Sequence, residues 1–222
     1  IIFSIFNGIT SDSLVPCSAK DGACLKILLA NVKNAIVDGI PEFDIPKQHY
    51  LEIHDVEINV PETIEFNITD GVLNGLNSCV YVDARINIEN GNGSVIVQCD
   101  LVVRGIYNAI IWKPKTVGVL VNNQLKCDGP FEIILSNIEI KYNVKFSVKS
   151  SDGDFYIQFD DGSVGYDVNS RGHKVVYALT GIYSGTEDVT ETFNKAVNKN
   201  WKPVSTIVIG EFLKAIIATV VE

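Results

Sequence analysis

The stretch Ile138-Glu139-Ile140-Lys141-Tyr142-Asn143-Val144-Lys145-Phe146-Ser147-Val148 alternates apolar and polar residues without a break. Successive side chains of a strand point to opposite faces, so this pattern predicts a strand with one dry face and one wet face. Just upstream, Phe131, Ile133 and Leu135 keep the same period. Further upstream, Val80, Val82, Ala84, Ile86 and Ile88 alternate with Tyr81, Asp83, Arg85, Asn87 and Glu89. Asn90-Gly91-Asn92-Gly93 then reads as a hairpin turn, and the return strand sets Val95, Val97, Cys99, Leu101 and Val103 on one face. Downstream, turns at Asp152-Gly153 and Asp160-Asp161-Gly162 bracket Phe155, Ile157 and Phe159. One-sided strands joined by tight turns make an antiparallel sheet. Strands about twice the usual five or six residues must curl as they twist.

Two helical segments flank this sheet. Asp21 can cap a helix in which Leu25, Leu28, Leu29, Val32 and Ile36 share a face, with Gly39 and Pro41 ending it. From Glu187 to the end, Val189, Phe193, Val197, Trp201, Val204, Val208, Phe212, Ile216 and Val220 recur at helical spacing. Ile207, Ile209 and Ile217 add apolar residues off that stripe, as in a helix that is surrounded. Pro203 and Gly210 predict a bend or two abutting helices. The expected fold is α+β: a long, highly curved antiparallel sheet wrapped around a long C-terminal helix, with a short N-terminal helix at one end. Residues 1–16, which open with Ile1-Ile2-Phe3-Ser4-Ile5-Phe6, are expected to form an apolar arm, and 17–222 a single domain.

The chain has 222 residues, 46% of them hydrophobic, and a net charge of −9. That acidity argues against a nucleic-acid partner, which selects a basic face. A mean hydropathy of +0.19 with 20% charged residues excludes a disordered chain. No apolar run reaches the length of a membrane span, so no stable membrane insertion is expected. Methionine is absent, the initiator included, which predicts a processed and secreted chain. The sequons at Asn67 and Asn92 fit a secretory route and are candidate glycosylation sites.

Cys17 and Cys24 bound a short loop that a disulfide could close at the mouth of the first helix. Cys99 lies in the dry phase of its strand and Cys79 in the wet phase of its own, which speaks against a bond between them. Cys127 could join either, and three free thiols are the default expectation. No nucleophile elbow, phosphate loop, dinucleotide fingerprint or zinc-protease motif occurs, so neither an enzyme nor a cofactor is expected. His49, Glu52, His54 and Glu57 read as solvated surface, and the acidic turns lack the spacing of a calcium loop, so no metal is expected.

Cys17-x6-Cys24-Leu25, its helix and Gly39-Ile40-Pro41-Glu42-Phe43-Asp44-Ile45-Pro46 resemble the opening of the insect takeout and juvenile-hormone-binding protein family. Leu179-Thr180-Gly181-Ile182-Tyr183-Ser184-Gly185, Phe193 and Asn200-Trp201-Lys202-x-Val204 resemble its C-terminal signature. The resemblance implies a tubular lipid-binding fold with an apolar tunnel, a Cys17–Cys24 bond, and secretion. It also implies a hydrophobic ligand such as juvenile hormone, a fatty-acyl lipid or another isoprenoid-like lipid. Cys79, Cys99, Cys127, Pro203 and the apolar N-terminal extension depart from that pattern.

Projected on the dry faces, the expected ligand lining is Leu28, Val32 and Ile36 of the first helix and Val97, Leu101, Phe131, Ile133 and Leu135 of the sheet. Tyr142, Val144 and Phe146 continue it. The C-terminal stripe adds Phe193, Val197, Trp201, Val204, Val208 and Phe212. Tyr142 is the candidate head-group partner, because its hydroxyl lies on an otherwise apolar face. Two rivals share these patterns. A lipocalin-like barrel lacks the long helix and calls for an early Gly-x-Trp. An extracellular structural or interaction protein would fill the same core and hold no ligand. The oligomeric state is open.

Overall fold

A computed structural model describes residues 18, 20–39, 47, 50–118, 123–151, 154–159, 165–169, 174–205 and 212, with the side chains of 36, 116–117, 150–151, 154–159 and 165–169 left out. The expected arm at 1–16, Cys17, Val208 and both acidic turns therefore lie outside the described residues. What is described is mostly long antiparallel sheet with short helices. In chain order the elements are α1 (Gly22–Asp38), β1 (Tyr50–Val60), β2 (Ile64–Asn74), β3 (Val80–Asn87), β4 (Asn92–Ile111) and β5 (Leu125–Ser151). They continue with β6 (Asp154–Phe159), β7 (Gly165–Asn169), β8 (Lys174–Leu179), β9 (Ile182–Ser184), β10 (Glu187–Asp188) and α2 (Thr190–Lys199). The alternation that runs through β4 and β5 is realised as strands of 20 and 27 residues.

Backbone proximity divides the chain into two units. Unit 1 takes Ile1–His49, Asn77–Cys99 and Glu139–Asn169; unit 2 takes Tyr50–Leu76, Asp100–Ile138 and Ser170–Glu222.

In unit 1, α1 starts as expected. The Asp21 carboxylate accepts from the Ala23 and Cys24 amides at 3.1 and 3.0 Å, and Gly39 ends the helix at φ 80°. Lys33 Nζ donates to the Asn77 and Cys79 carbonyls at 3.1 and 3.0 Å, tying α1 to the entry of β3. The β3–β4 hairpin carries a bulge between Tyr81 and Asp83. This corrects the expected alternation: Tyr81 and Ala84 are covered while Val80, Val82 and Ile88 face solvent. It also corrects the cysteine pairing. Val80 pairs with Gln98 and Tyr81 with Val97, so Cys79 stands opposite Cys99, and the two form a disulfide. The wet phase assigned to Cys79 came from extrapolating the alternation across the bulge. Val148, expected dry, is 44% exposed.

In unit 2, β1, β2 and β4 pair antiparallel, and β5 pairs with β8 and β9. Ile53 and Val56 are both buried although three residues apart, with Asp55 between them at φ 51°; Leu135 and Ile138 likewise flank Asn137 at φ 56°. The Asn137 amide donates to Asp100 Oδ1 at 2.7 Å.

The expected long C-terminal helix is not seen as such among the described residues. Glu187 and Asp188 pair with β9 instead of opening it, and α2 begins at Thr190, whose hydroxyl accepts from the Ile182 amide. α2 ends at Lys199, where Asn200 leaves helical geometry at φ −109° and ψ 30° and adds its Nδ2 to its backbone amide as donors to the Ala196 carbonyl. Residues 201–205 are helical again, and so is Phe212.

α2 also closes a sheet edge. Asn194 Oδ1 accepts from the Leu179 amide and its Nδ2 donates to the Leu179 carbonyl; Asn198 does the same for Tyr177. Four helical residues rise about 6 Å and two strand residues about 6.7 Å, so the two amides match alternate residues of β8. Edge groups that would otherwise lack partners are thus satisfied.

Candidate functional site

The sequence-predicted lining divides between the units. Leu28, Val32, Val97, Tyr142, Val144 and Phe146 belong to unit 1. Leu101, Phe131, Ile133, Leu135, Phe193, Val197, Trp201, Val204 and Phe212 belong to unit 2. Ile36 is in unit 1 with its side chain undescribed, and Val208 is outside the described residues.

In unit 2 these side chains, Trp201 excepted, are closed in. Leu135 and Val197 are 1% exposed. Phe131 packs edge-on against Phe66 and Tyr107 at 5.9 and 5.7 Å, and Phe66 stacks on Tyr107 at 5.0 Å. The inward tyrosine tips of this core are paired, whereas the buried Asn67 Oδ1 of β2 has no hydrogen-bond partner among the described residues. Tyr107 donates to the Thr180 carbonyl at 2.8 Å, and the Tyr177 and Ser205 hydroxyls bond each other at 2.8 Å. Cys127, the free cysteine, is buried beside Tyr107, and burial pushes its thiol up to about 12. Trp201 is half-buried, with Lys202 Nζ 5.6 Å from its ring centre.

The glycine and asparagine of the C-terminal signature have backbone reasons. Gly181 sits at φ 65° where a Cβ would lie 1.9 Å from the Asp128 carbonyl oxygen. Asn200 caps α2 and lies against Gly118, itself at φ 82°. Each sets the path of the chain.

In unit 1 the inner residues are less covered. Leu28, Val32, Tyr81, Tyr142 and Val144 are half-buried, whereas Leu25, Val97 and Phe146 are buried. Burial pushes the Tyr142 hydroxyl up to about 12, helped by the nearby Tyr81, which burial also raises. A cleft of about 660 Å³ opens between the β3–β4 hairpin and β5. Ile86, Gly93 and Val144 contribute to it from the inner phase of their strands, and Arg85, Asn143 and Lys145 from the outer phase. Sequence reading named Val144 but not the cleft; the asparagines and cations around it read simply as wet positions.

The remaining candidates are surface features. His54 lies 3.4 Å from Glu52 and 3.6 Å from Asp70, all exposed. Among the described residues no group of His, Cys, Asp and Glu is placed to hold a metal ion. No helix among them is long and apolar enough to cross a membrane. Cys24 is disulfide-bonded. Asn92 is exposed at the hairpin, whereas Asn67 is half-buried in β2, with its Nδ2 donating to Asn108 Oδ1 at 3.2 Å.

The fold is that of the crystal structure of Takeout 1 from Epiphyas postvittana, matched with a TM-score of 0.74 at 22% identity over 92% of this chain and 90% of that one. Lipopolysaccharide binding protein matches at a TM-score of 0.32 and 10% identity over 85% of this chain and 39% of that one, too distant to argue from. No curated protein matches the chain. The family model for haemolymph juvenile hormone binding protein matches residues 2–222, nearly the whole length. The chain belongs to the haemolymph juvenile hormone binding protein family.

Proposed function

We propose that this protein is a secreted carrier of a small hydrophobic ligand, a juvenile-hormone-like isoprenoid or a fatty-acyl lipid, held against the inner apolar faces of its sheet. The observation that carries this reading is the family match across residues 2–222. The half-buried inner residues Leu28, Val32, Tyr142 and Val144 support it, since they retain surface that a ligand tail would cover. Phe193, Val197, Val204 and the other buried members of the predicted lining in unit 2 would meet a ligand only by moving apart, whereas Trp201 is half-buried. Tyr142 is the proposed partner of a ligand's polar group, its hydroxyl being set among apolar neighbours. Cys17 is the proposed partner of Cys24, and Asn92 the better placed of the two sequons for a glycan.

Energetics permit useful affinity. A tail of about 14 carbons gains on the order of 11 kcal/mol at roughly 0.8 kcal/mol per buried methylene. Immobilisation removes at least several kcal/mol of that, leaving micromolar binding or better. The test is native mass spectrometry with organic extraction of the protein from its natural source, alongside uptake of a fluorescent fatty acid. A co-purifying lipid and saturable uptake are expected. Absence of both would leave the filled-core structural protein as the better reading.

A further inference from the structure

Acidic residues are spread through this chain, 27 among 222, yet its sequence holds none in 101–127 and none in 192–210. The first stretch carries Arg104, Lys113, Lys115 and Lys126, the second Lys195, Lys199 and Lys202. Each also holds one of the protein's two tryptophans, Trp112 and Trp201. The fold of unit 2 brings the middles of these stretches together. β4 ends at Ile111, and a short 3₁₀ turn (Pro114–Val117) leads to Gly118 at φ 82°. A Cβ on Gly118 would lie 2.5 Å from Asn200 Nδ2, so the segment after β4 meets the segment after α2 at this point. Trp112 and Lys115 stand within a few residues of it on one side, Lys199, Trp201 and Lys202 on the other. Trp112 is 46% exposed, with its backbone amide donating to the Thr63 carbonyl at 2.9 Å. Lys113 is paired with Glu62 at 2.8 Å, and Lys202 lies 5.6 Å from the Trp201 ring centre, so both are engaged. Lys115 and Lys199 are exposed and form no ion pair among the described residues.

We infer that this face of unit 2 docks the protein on an anionic lipid surface, with the Trp112 ring among the headgroups and the Lys115 and Lys199 ammonium groups against their negative charges. The contact is peripheral, and it goes beyond the carrier reading without resting on it. An indole has an apolar body and one N–H donor, which suits the headgroup level better than water or hydrocarbon. Lysine fits beside it, because its stem lies along apolar surface while its head stays with the polar groups. The net charge of −9 opposes approach at long range. At physiological salt, however, charges are screened beyond about 8 Å, so the local face decides once contact is made.

The test is flotation of the full chain with vesicles of phosphatidylcholine alone or in equal mixture with phosphatidylserine. Binding to the mixed vesicles should exceed binding to phosphatidylcholine by about tenfold or more at about 0.1 M salt, and should be lost at about 1 M. Lys115→Gln with Lys199→Gln should weaken it by about 25-fold, roughly fivefold for each cation. Lys20→Gln with Lys141→Gln removes the same charge from exposed positions elsewhere and should leave it nearly unchanged. All four side chains are exposed, so the fold should survive. Tryptophan emission of the unaltered protein needs no variant: it should shift to the blue on the mixed vesicles and be quenched by brominated lipid, and in Trp201→Phe the remaining signal is that of Trp112. No preference for the anionic vesicles, equal weakening by the two double variants, or Trp112 emission unmoved by lipid overturns the docking face. A stable dimer that shields Trp112 without lipid also overturns it and gives the face to a second copy. None of these outcomes touches the carrier reading, which stands or falls on lipid extraction and uptake.

Discussion

In unit 2 the side chains of Ile68, Val103, Leu125 and Ile182 have no exposed surface, and the inward hydroxyls of Tyr107 and Tyr177 are hydrogen-bonded. In unit 1 the inward Tyr81, Tyr142 and Val144 are half-exposed, and a cleft reaches the inner face. A filled core must satisfy its own polar groups, because an unpaired one costs about 1–3 kcal/mol. An inner face that stays open can leave a phenol for an incoming partner. Unit 2 thus has a filled inner face and unit 1 a partly open one, which the proposed carrier would use as its receptacle, on strands of the same alternating pattern.

The largest effect that would break this contrast is a pair of truncations. Phe131→Ala removes a ring packed against Phe66 and Tyr107 and should destabilise the protein by about 3–5 kcal/mol. Val144→Ala removes two half-exposed methyl groups and should cost about 1 kcal/mol or less. Denaturant unfolding of both variants measures the difference. Equal losses would mean that Val144 sits in a core as filled as that around Phe131.

A second contrast is covalent. Unit 1 is stapled by Cys79–Cys99, 20 residues apart, while Cys127, the free thiol among the described residues, is buried in unit 2. Closing a loop of that length stabilises by about 3 kcal/mol through the unfolded chain, so Cys79→Ala with Cys99→Ala should lose about that much. Thiol titration in denaturant without reductant should find Cys127 alone, with Cys17 paired to Cys24 as proposed. Titration of the native protein should find none. Three reactive thiols would restore the expectation drawn from strand phase and remove the staple.

That expectation failed for a physical reason. Alternation reports which residues share a face only while register is continuous. At Asn137 the break is legible, because the apolar series Phe131, Ile133, Leu135 resumes out of step at Ile138 and Ile140. At Val82 it is not, because Val80, Tyr81 and Val82 are all apolar and either phase reads as dry. The C-terminal helix shows a similar blindness. The apolar stripe runs through Asn200 without a gap, and only the backbone of Asn200, at φ −109° and ψ 30°, reveals where α2 stops. Asn194 and Asn198 read as wet positions, yet they complete the edge of β8. The sheet, the first helix and the family were legible from period and motif. The division between a filled and an open inner face was not, since both require the same apolar residues.

The smallest effect separates the units by their tyrosines. Ordinary tyrosines ionise near pH 10. Burial raises Tyr81 and Tyr142 in unit 1 and Tyr107 and Tyr177 in unit 2, with Tyr142 reaching about 12. The unfolded chain gives up these protons first, so above about pH 10 the folded state binds more of them and its stability falls as pH rises. Below pH 10 these groups contribute no pH dependence. Phenolate absorbance of the eight tyrosines should therefore titrate in two stages, the later one accompanied by unfolding. A single stage near pH 10 in a protein still folded by circular dichroism would show that none of the four is shielded. Bound lipid distinguishes the pairs. A tail over Tyr142 excludes water from it and should delay its ionisation further, while Tyr107 and Tyr177, already enclosed, should titrate as before. If lipid instead shifts the unit 2 pair, the filled unit has opened to admit it, and the receptacle lies there.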